Sequence, residues 1–294
     1  MVTGQDIEAG LLDLGLEAGD LVVVHSSLSS FGRVVGGADT VVDALLSVLG
    51  PEGTLVVPTF NYMPEFFDPE LTPSVVGAVT EAVRKRENAR RSLHPTHSVA
   101  VIGPLSEDII RDHEKTAPFG QGSALYRLLE LNGKVLLIGV GHTTNSMIHV
   151  AEELAETPYL ERVRQVIVAL PNGRRVARIV RRPGCSRGFD RISDRLEATG
   201  MVRRRNIGRS LVQLMPAGAV VGTAISMLKE DPAALLCELP DCQTCAEARA
   251  IAAAIESQAN EEALAALLKE PVGENIQPFE GSILEEMENG SNRN

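Results

Sequence analysis

The sequence predicts an α/β fold: a mostly parallel central sheet with helices on both faces, plus an antiparallel C-terminal lobe. Three observations predict it. Short β-branched runs recur, as LVVVHSS at 21–27, TLVVPTF at 54–60, SVAVIGP at 98–104 and KVLLIGVG at 134–141. Continuous apolar runs of this length suit strands buried on both faces, as in parallel sheets. Segments with apolar residues at helical spacing lie between them. From about residue 160 the texture changes to paired strands around Pro171-Asn172-Gly173, a hairpin signal.

Taken in order, residues 3–15 carry Ile7, Leu11, Leu12 and Leu14 at helical spacing. The strand at 21–27 leads into GGADTVVDALLSVLG, a one-faced helix closed by Gly50-Pro51. Helices at about 73–86, 105–113, 122–132 and 144–156 separate or follow the next three strands. QVIVALPNGRRVARIVRR reads as two antiparallel strands. A helix near 189–199 and two strands near 202–216 are expected to complete that lobe. AGAVVGTAISMLKE and the Ala- and Glu-rich stretch 245–269 are helical. No internal repeat or long linker is visible, so a single domain over 1–270 with one shared core is expected. The polar, acidic tail 271–294 is expected to be mobile at its end.

Composition excludes several function classes. There is no apolar run of about 18 residues, so no spanning helix, and the N-terminus MVTGQDIEAGLL has no signal-peptide pattern. A cytoplasmic protein without a membrane partner is expected. Lys and Arg number 28 against 39 Asp and Glu, a net charge of −11. Nucleic-acid binding needs a basic face, and with aromatics at 3% there is little to stack bases. The acidic balance suits a cationic small substrate drawn to an acidic cleft, and equally a surface charged for solubility. The oligomeric state is left open, a homodimer being one option.

Chemistry-bearing residues gather where strands end. In sheets of this kind ligands bind beyond the carboxyl ends of strands. His25-Ser26-Ser27, Pro58-Thr59-Phe60-Asn61 and Gly141-His142-Thr143-Thr144 all stand there. In HSSLSSFGRVVGGADT, two serines and a Gly-Gly pair precede a helix. Glycines allow close backbone approach, and free helix N–H groups favour an anion, so a phosphate with a pantetheine-like arm along the Phe31–Val35 loop suits the segment. The same residues also read as a plain strand-loop-helix connection capped by Asp39 or Thr40. In RSLHPTHSVAVIGP, His94 and His97 flank a proline. Hydrogen bonding to backbone in a tight turn fits them better than metal ligation, and Thr96 and Ser98 are candidates to face a ligand.

GVGHTTNSMIHVAEELAE carries the most information. Thr143 or Thr144 can cap a helix starting near Asn145. His149 then has Glu152 three residues on and Glu153 four residues on, so a carboxylate shares its face. A neutral imidazole held by a carboxylate is a general base able to take a proton from an amine near pH 7. A surface ion pair is the bland alternative. Cys237, Cys242 and Cys245 are spaced C-x4-C-x2-C, with Cys185 distant in PGCSRGF. They could close a structural thiolate zinc site or be unrelated buried thiols. No metal ligand is assigned on this spacing.

The segments HSSLSSFGRVVGGADTVVDAL, GTLVVPTF, RSLHPTHSVAVIG, PFGQGSALYRLLELNGKVLLIGVG and TNSMIHVAEE, in that order, resemble the aminoglycoside 3-N-acetyltransferase family. The resemblance runs from the first helix to about residue 200 and more loosely to about 250. It implies a co-substrate, acetyl-CoA, whose acetyl group passes to the 3-amino group of a 2-deoxystreptamine drug. It implies that His25, Ser26, Ser27, Leu28, Phe31, Gly32, Val34, Val35, Gly36 and Gly37 hold the CoA phosphates and pantetheine; Ser98, from the RSLHPTHSVAVIGP segment that reads as substrate- or cofactor-lining, is placed with the cofactor contacts. It implies a catalytic centre at the H-x-A-E motif, His149 with Glu152, and Thr144 as an oxyanion donor. Direct attack by the amine needs no acyl-enzyme. One departure stands out: where resistance enzymes of the family often carry an acidic residue a few positions before that histidine, this chain has Thr143, Thr144 and Asn145. Two other readings stay open, an N-acyltransferase acting on a different amine in natural-product or sugar metabolism, and a non-catalytic CoA- or zinc-binding module.

Overall fold

The first helix, α1 (Gly4–Leu14), starts on a reciprocal cap: Asp6 N–H donates to the Thr3 hydroxyl, and Thr3 N–H donates to the Asp6 carboxylate. It ends at Gly15, whose φ of 93° is the left-handed conformation that glycine adopts without steric cost. The computed structural model describes residues 1–62, 64–160, 162–170 and 172–267. Pro171 of the expected hairpin turn and the tail expected over 271–294 lie outside the described residues.

Seven strands form the main sheet: β1 (Leu21–Ser26), β2 (Thr54–Pro58), β4 (Arg90–Arg91), β5 (Val99–Ile102), β6 (Lys134–Ile138), β9 (Arg203–Ile207) and β10 (Ser210–Pro216). Their order is β4-β5-β2-β1-β6-β10-β9. The centre is parallel, with Val23 of β1 opposite Val56 of β2 and Val135 of β6. On one face Val22, Val24, Leu55 and Leu136 pack in a cluster with α1 and α2 (Gly37–Leu49). On the other, Val23, Val56, Val135 and Leu137 pack with α5 (Ala124–Glu130), α6 (Met147–Leu154) and α8 (Ala217–Glu230). This is the expected α/β fold with helices on both faces.

Two details differ from expectation. The strand at 98–104 is β5 and runs antiparallel to β2, because the chain enters it through β4, which pairs antiparallel with it. The strands near 202–216 do not complete a separate lobe. β9 and β10 join at Gly208, with φ 58°, and β10 runs antiparallel along β6, placing Leu214 opposite Leu136. Burial decides this: Ile207, Val212 and Leu214 are buried and extend the cluster on the α1–α2 face.

The expected hairpin stands apart as a second sheet. β7 (Val163–Ala169) and β8 (Arg175–Arg181) pair antiparallel, and β3 (Phe66–Phe67) pairs parallel with β7. Phe67, Val166, Val168 and Val180 form its own small core. The remaining helices are α3 (Ala78–Arg84), α4 (Ser106–Ile110), α7 (Ser193–Ala198) and α9 (Gln243–Leu267). Met1–Ala253 make one compact unit, and Ala254 begins a second. Among the described residues no helix is long and apolar enough to cross a membrane.

Candidate active site

The parallel strands deliver their carboxyl ends to one cavity of about 700 Å³. Its walls come from β1 (His25, Ser26), the end of β2 and the loop after it (Pro58, Phe60, Tyr62), the approach to α3 (Val75 to Gly77, Thr80), and Thr96 and His97 before β5. The loop after β6 and the start of α6 add Thr143, Thr144, Asn145, Ser146 and His149, and the segment after β8 adds Arg182, Pro183, Gly184 and Ser186. A volume of this order suits a small-molecule ligand.

His149 is fixed on every side but one. Helical spacing turns Glu152 onto its face, and Nδ1 of His149 lies 2.6 Å from Oε2 of Glu152. Glu153, the alternative partner, is directed instead to Arg181 at 3.2 Å. Glu152 has no solvent exposure, and its other oxygen accepts from the Tyr159 hydroxyl at 3.2 Å. Burial, and then the Glu152 charge, push the Tyr159 phenol up, so it remains a donor. The imidazole stacks on Phe119 at 4.9 Å between centroids and meets the edge of Phe189 at 4.7 Å. With Nδ1 committed to Glu152, Nε2 is the nitrogen left for a ligand in the cavity.

The loop leading to His149 is built differently from the expected threonine cap. His142–Thr144 form a 3-10 turn in which the Thr144 hydroxyl donates to the Gly141 carbonyl at 3.0 Å. The side chain that serves the helix start is Asn145, whose Oδ1 accepts from Met147 N–H at 3.2 Å. Asp190 anchors the turn by accepting from His142 N–H at 2.7 Å. Thr144 nonetheless stands on the cavity wall.

Of the expected cofactor segment, His25 and Ser26 line the cavity. Nε2 of His25 and Oγ of Ser26 are buried with no hydrogen-bond partner among the described residues. Such groups are costly unless something else satisfies them. Burial also pushes the His25 imidazole down to about 3, so it is neutral. Ser27 is half-buried, its hydroxyl 3.1 Å from that of Ser29. Phe31 is buried in the α1–α2 cluster, with Leu28 and Val34 packed on it. Gly32 closes a 3-10 turn at φ 84°, Val35 and Gly36 are exposed, and Gly36 and Gly37 hold φ of 78° and 68° before α2. Ser98 lies in the interior, its hydroxyl donating to the Thr59 carbonyl at 3.0 Å. Phe31 and Ser98 therefore do not line this cavity.

His94 makes the backbone hydrogen bond of the tight-turn reading, whereas the ring of His97 meets a side chain instead. Nδ1 of His94 accepts from His97 N–H at 3.1 Å, and His97 faces the cavity with Nδ1 2.8 Å from the Thr96 hydroxyl. Burial holds both imidazoles well below their ordinary range, and neighbouring histidines add to the effect. Sequence reasoning missed Phe119, Phe189, Tyr159 and the 182–186 segment. The phenylalanines were findable in part, since only seven occur and PFGQG and RGFDR place two beside glycine-marked turns. Tyr159 and the 182–186 segment carry no local motif.

The expected acidic cleft is not seen at this wall: among the described lining residues there is no carboxylate, and Arg182 brings a positive charge. Glu152 lies behind His149, not on the surface of the cavity.

Known proteins resemble this chain in sequence and in fold. The sequence model of the family described as aminoglycoside 3-N-acetyltransferase matches residues 23–229. Aminoglycoside N(3)-acetyltransferase IV of Salmonella is 33% identical over 226 residues, covering 76% of this chain and 85% of that protein. The crystal structure of aminoglycoside acetyltransferase AAC(3)-IVa, a histidine-to-alanine mutant in complex with a gentamicin, superposes with a TM-score of 0.78 at 31% identity. It covers 85% of this chain and 97% of its own. AAC-IIIb in a binary complex with CoASH gives a TM-score of 0.73 at 27% identity, over 78% of this chain and 96% of its own. Matched over most of its length in both sequence and structure, the chain belongs to the aminoglycoside 3-N-acetyltransferase family of acyltransferases.

Proposed function

We propose that this enzyme moves an acetyl group from acetyl-CoA to an amino group of an aminoglycoside, the 3-amino of its 2-deoxystreptamine ring, with His149 as general base. One observation carries the reading: among the described residues the hydrogen-bond partner of the His149 ring is a fully buried carboxylate, and the ring lines the cavity that His25 and Ser26 also line. Relatives bound to CoASH and to a gentamicin support the two ligand classes.

The amine nitrogen attacks the thioester carbonyl while Nε2 of His149 accepts its proton. Glu152 holds Nδ1–H and stabilises the imidazolium as it forms, a role that needs a carboxylate already buried and already bonded. The carbon–sulfur bond then breaks, and the proton held by His149 is available to the departing CoA thiolate. On the cavity wall the Ser26 hydroxyl, which has no protein partner among the described residues, is the donor for the carbonyl oxygen as it gains charge, joined by the Thr144 hydroxyl only when it leaves the Gly141 carbonyl. The N-terminus of the 13-residue helix that Gly36–Gly37 open suits the CoA phosphates, because the first-turn N–H groups of a helix have no partner within it, although Gly37 N–H itself donates to the Val34 carbonyl.

The wall without carboxylates favours a second reading, in which the same donor serves an amine less cationic than an aminoglycoside. Acetyl-CoA consumption with a panel of aminoglycosides and simpler amines separates them. Turnover with 2-deoxystreptamine drugs is expected. Turnover with other amines only would reject the drug as acceptor.

A further inference from the structure

We propose that Cys185, Cys237, Cys242 and Cys245 hold one zinc ion as a closed four-thiolate site that clamps the cavity-bordering 182–186 segment to the chain entering α9. These are all the cysteines in the sequence. Folding brings their four sulfur atoms within 4.8 Å of one another, although one comes from a loop 52 residues away from the nearest of the others. Sγ of Cys185 is 3.9 Å from Sγ of Cys237, and all four thiols are free rather than paired as disulfides. Zinc held by thiolates at about 2.3 Å in a tetrahedron sets neighbouring sulfurs about 3.8 Å apart. Unrelated buried thiols have no reason to converge to that spacing.

The surroundings are built for such a centre. Gly188 lets the two ligand-bearing segments meet, since a Cβ there would sit 2.6 Å from the Cys237 nitrogen. Arg187 N–H points at Sγ of Cys185 at 3.4 Å, a bond to sulfur that steadies a thiolate. Four thiolates around Zn²⁺ leave a net charge of −2. Arg249, which donates to the Cys237 carbonyl, supplies a cation beside it, and the Arg187 guanidinium, paired with Asp241 at 3.4 Å, adds a second. Three of the ligands are buried and no position is left for water or substrate, so the ion is structural.

The clamp reaches the candidate active site. Cys185 follows Pro183 and Gly184, which line the cavity, and a Cβ at Gly184 would lie 3.4 Å from Oε1 of Glu152. Tyr159, which donates to Glu152, packs in the cluster formed by Cys237, Cys242 and Cys245. Releasing the ion frees the cover over the carboxylate that orients His149.

The test is metal analysis of full-length protein purified without chelator, with thiol titration alongside. About one zinc per chain is expected, released as the four thiols react with a mercurial, and Cys242→Ser or Cys185→Ser should lower the content at least about fivefold. If the serine variants fail to fold, cobalt substitution of the wild type decides, since four thiolates give an intense tetrahedral cobalt–sulfur spectrum. Zinc below about a tenth per chain, a wild type that takes up no cobalt into thiolate coordination, or two disulfides in their place would overturn the proposal. The result is independent of acetyl transfer, which is not the readout.

Discussion

Nδ1 of His149 and Oε2 of Glu152 stand 2.6 Å apart on one face of α6, and the Tyr159 hydroxyl holds the far oxygen of the same carboxylate at 3.2 Å. The three side chains form a relay that leads from the Cys-lined cluster to the cavity. A buried carboxylate in such a relay does more than position a ring. It also stabilises the charge the ring acquires when it takes a proton.

Glu152→Gln keeps the shape and removes that charge. We expect kcat to fall by about 10²-fold or more, with KM for acetyl-CoA nearly unchanged. Steady-state kinetics on both substrates will show it. A loss confined to KM would mean that Glu152 acts in binding.

Tyr159→Phe tests the far end of the relay. It leaves a buried carboxylate oxygen without its donor, which costs about 1–3 kcal/mol of stability. Thermal unfolding should register that loss, and kcat should fall by a smaller factor than in Glu152→Gln.

Much of this arrangement was readable in the sequence. The runs at 21–27, 54–60 and 134–141 became the parallel centre, and the H-x-A-E spacing placed Glu152 on the face of His149, because both signals are local and periodic. What was not readable depends on contacts across the chain. The direction of β5 is set by β4, and the place of β10 by burial against β6. Phe119, Phe189 and Tyr159 meet His149 and Glu152 from separate segments that share no motif. The convergence of Cys185 with three cysteines about fifty residues on is of the same kind.

Stability should fall as pH drops below about 6.5. Burial lowers the imidazoles of His25, His94, His97 and His113, to about 3 at His25 and about 4 at His113. Below the ordinary histidine range the unfolded chain binds protons that the folded chain refuses. Each such histidine therefore removes about 1.4 kcal/mol per pH unit between about 6.5 and its folded value. Melting temperature measured from about pH 8 to about pH 5 should be flat above about 7 and decline steeply below about 6.5. A flat profile across that whole range would show these histidines are not buried neutral.

Thr143→Asp restores a carboxylate to the cavity wall, where the described lining residues carry none. For an aminoglycoside acceptor KM should fall by about three- to tenfold, more at low salt than at high salt, because the added attraction is screened by ions. An uncharged amine should show no gain. Equal effects on both acceptors would mean that the loop had simply changed shape.

The most direct measurement is the rate of CoA release from acetyl-CoA, at saturating aminoglycoside, by His149→Ala beside the wild type. General-base catalysis is worth about 10²–10⁴-fold, so the variant should retain at most about one per cent of kcat while still binding acetyl-CoA. A variant that turns over within about threefold of the wild type would contradict the role given to His149.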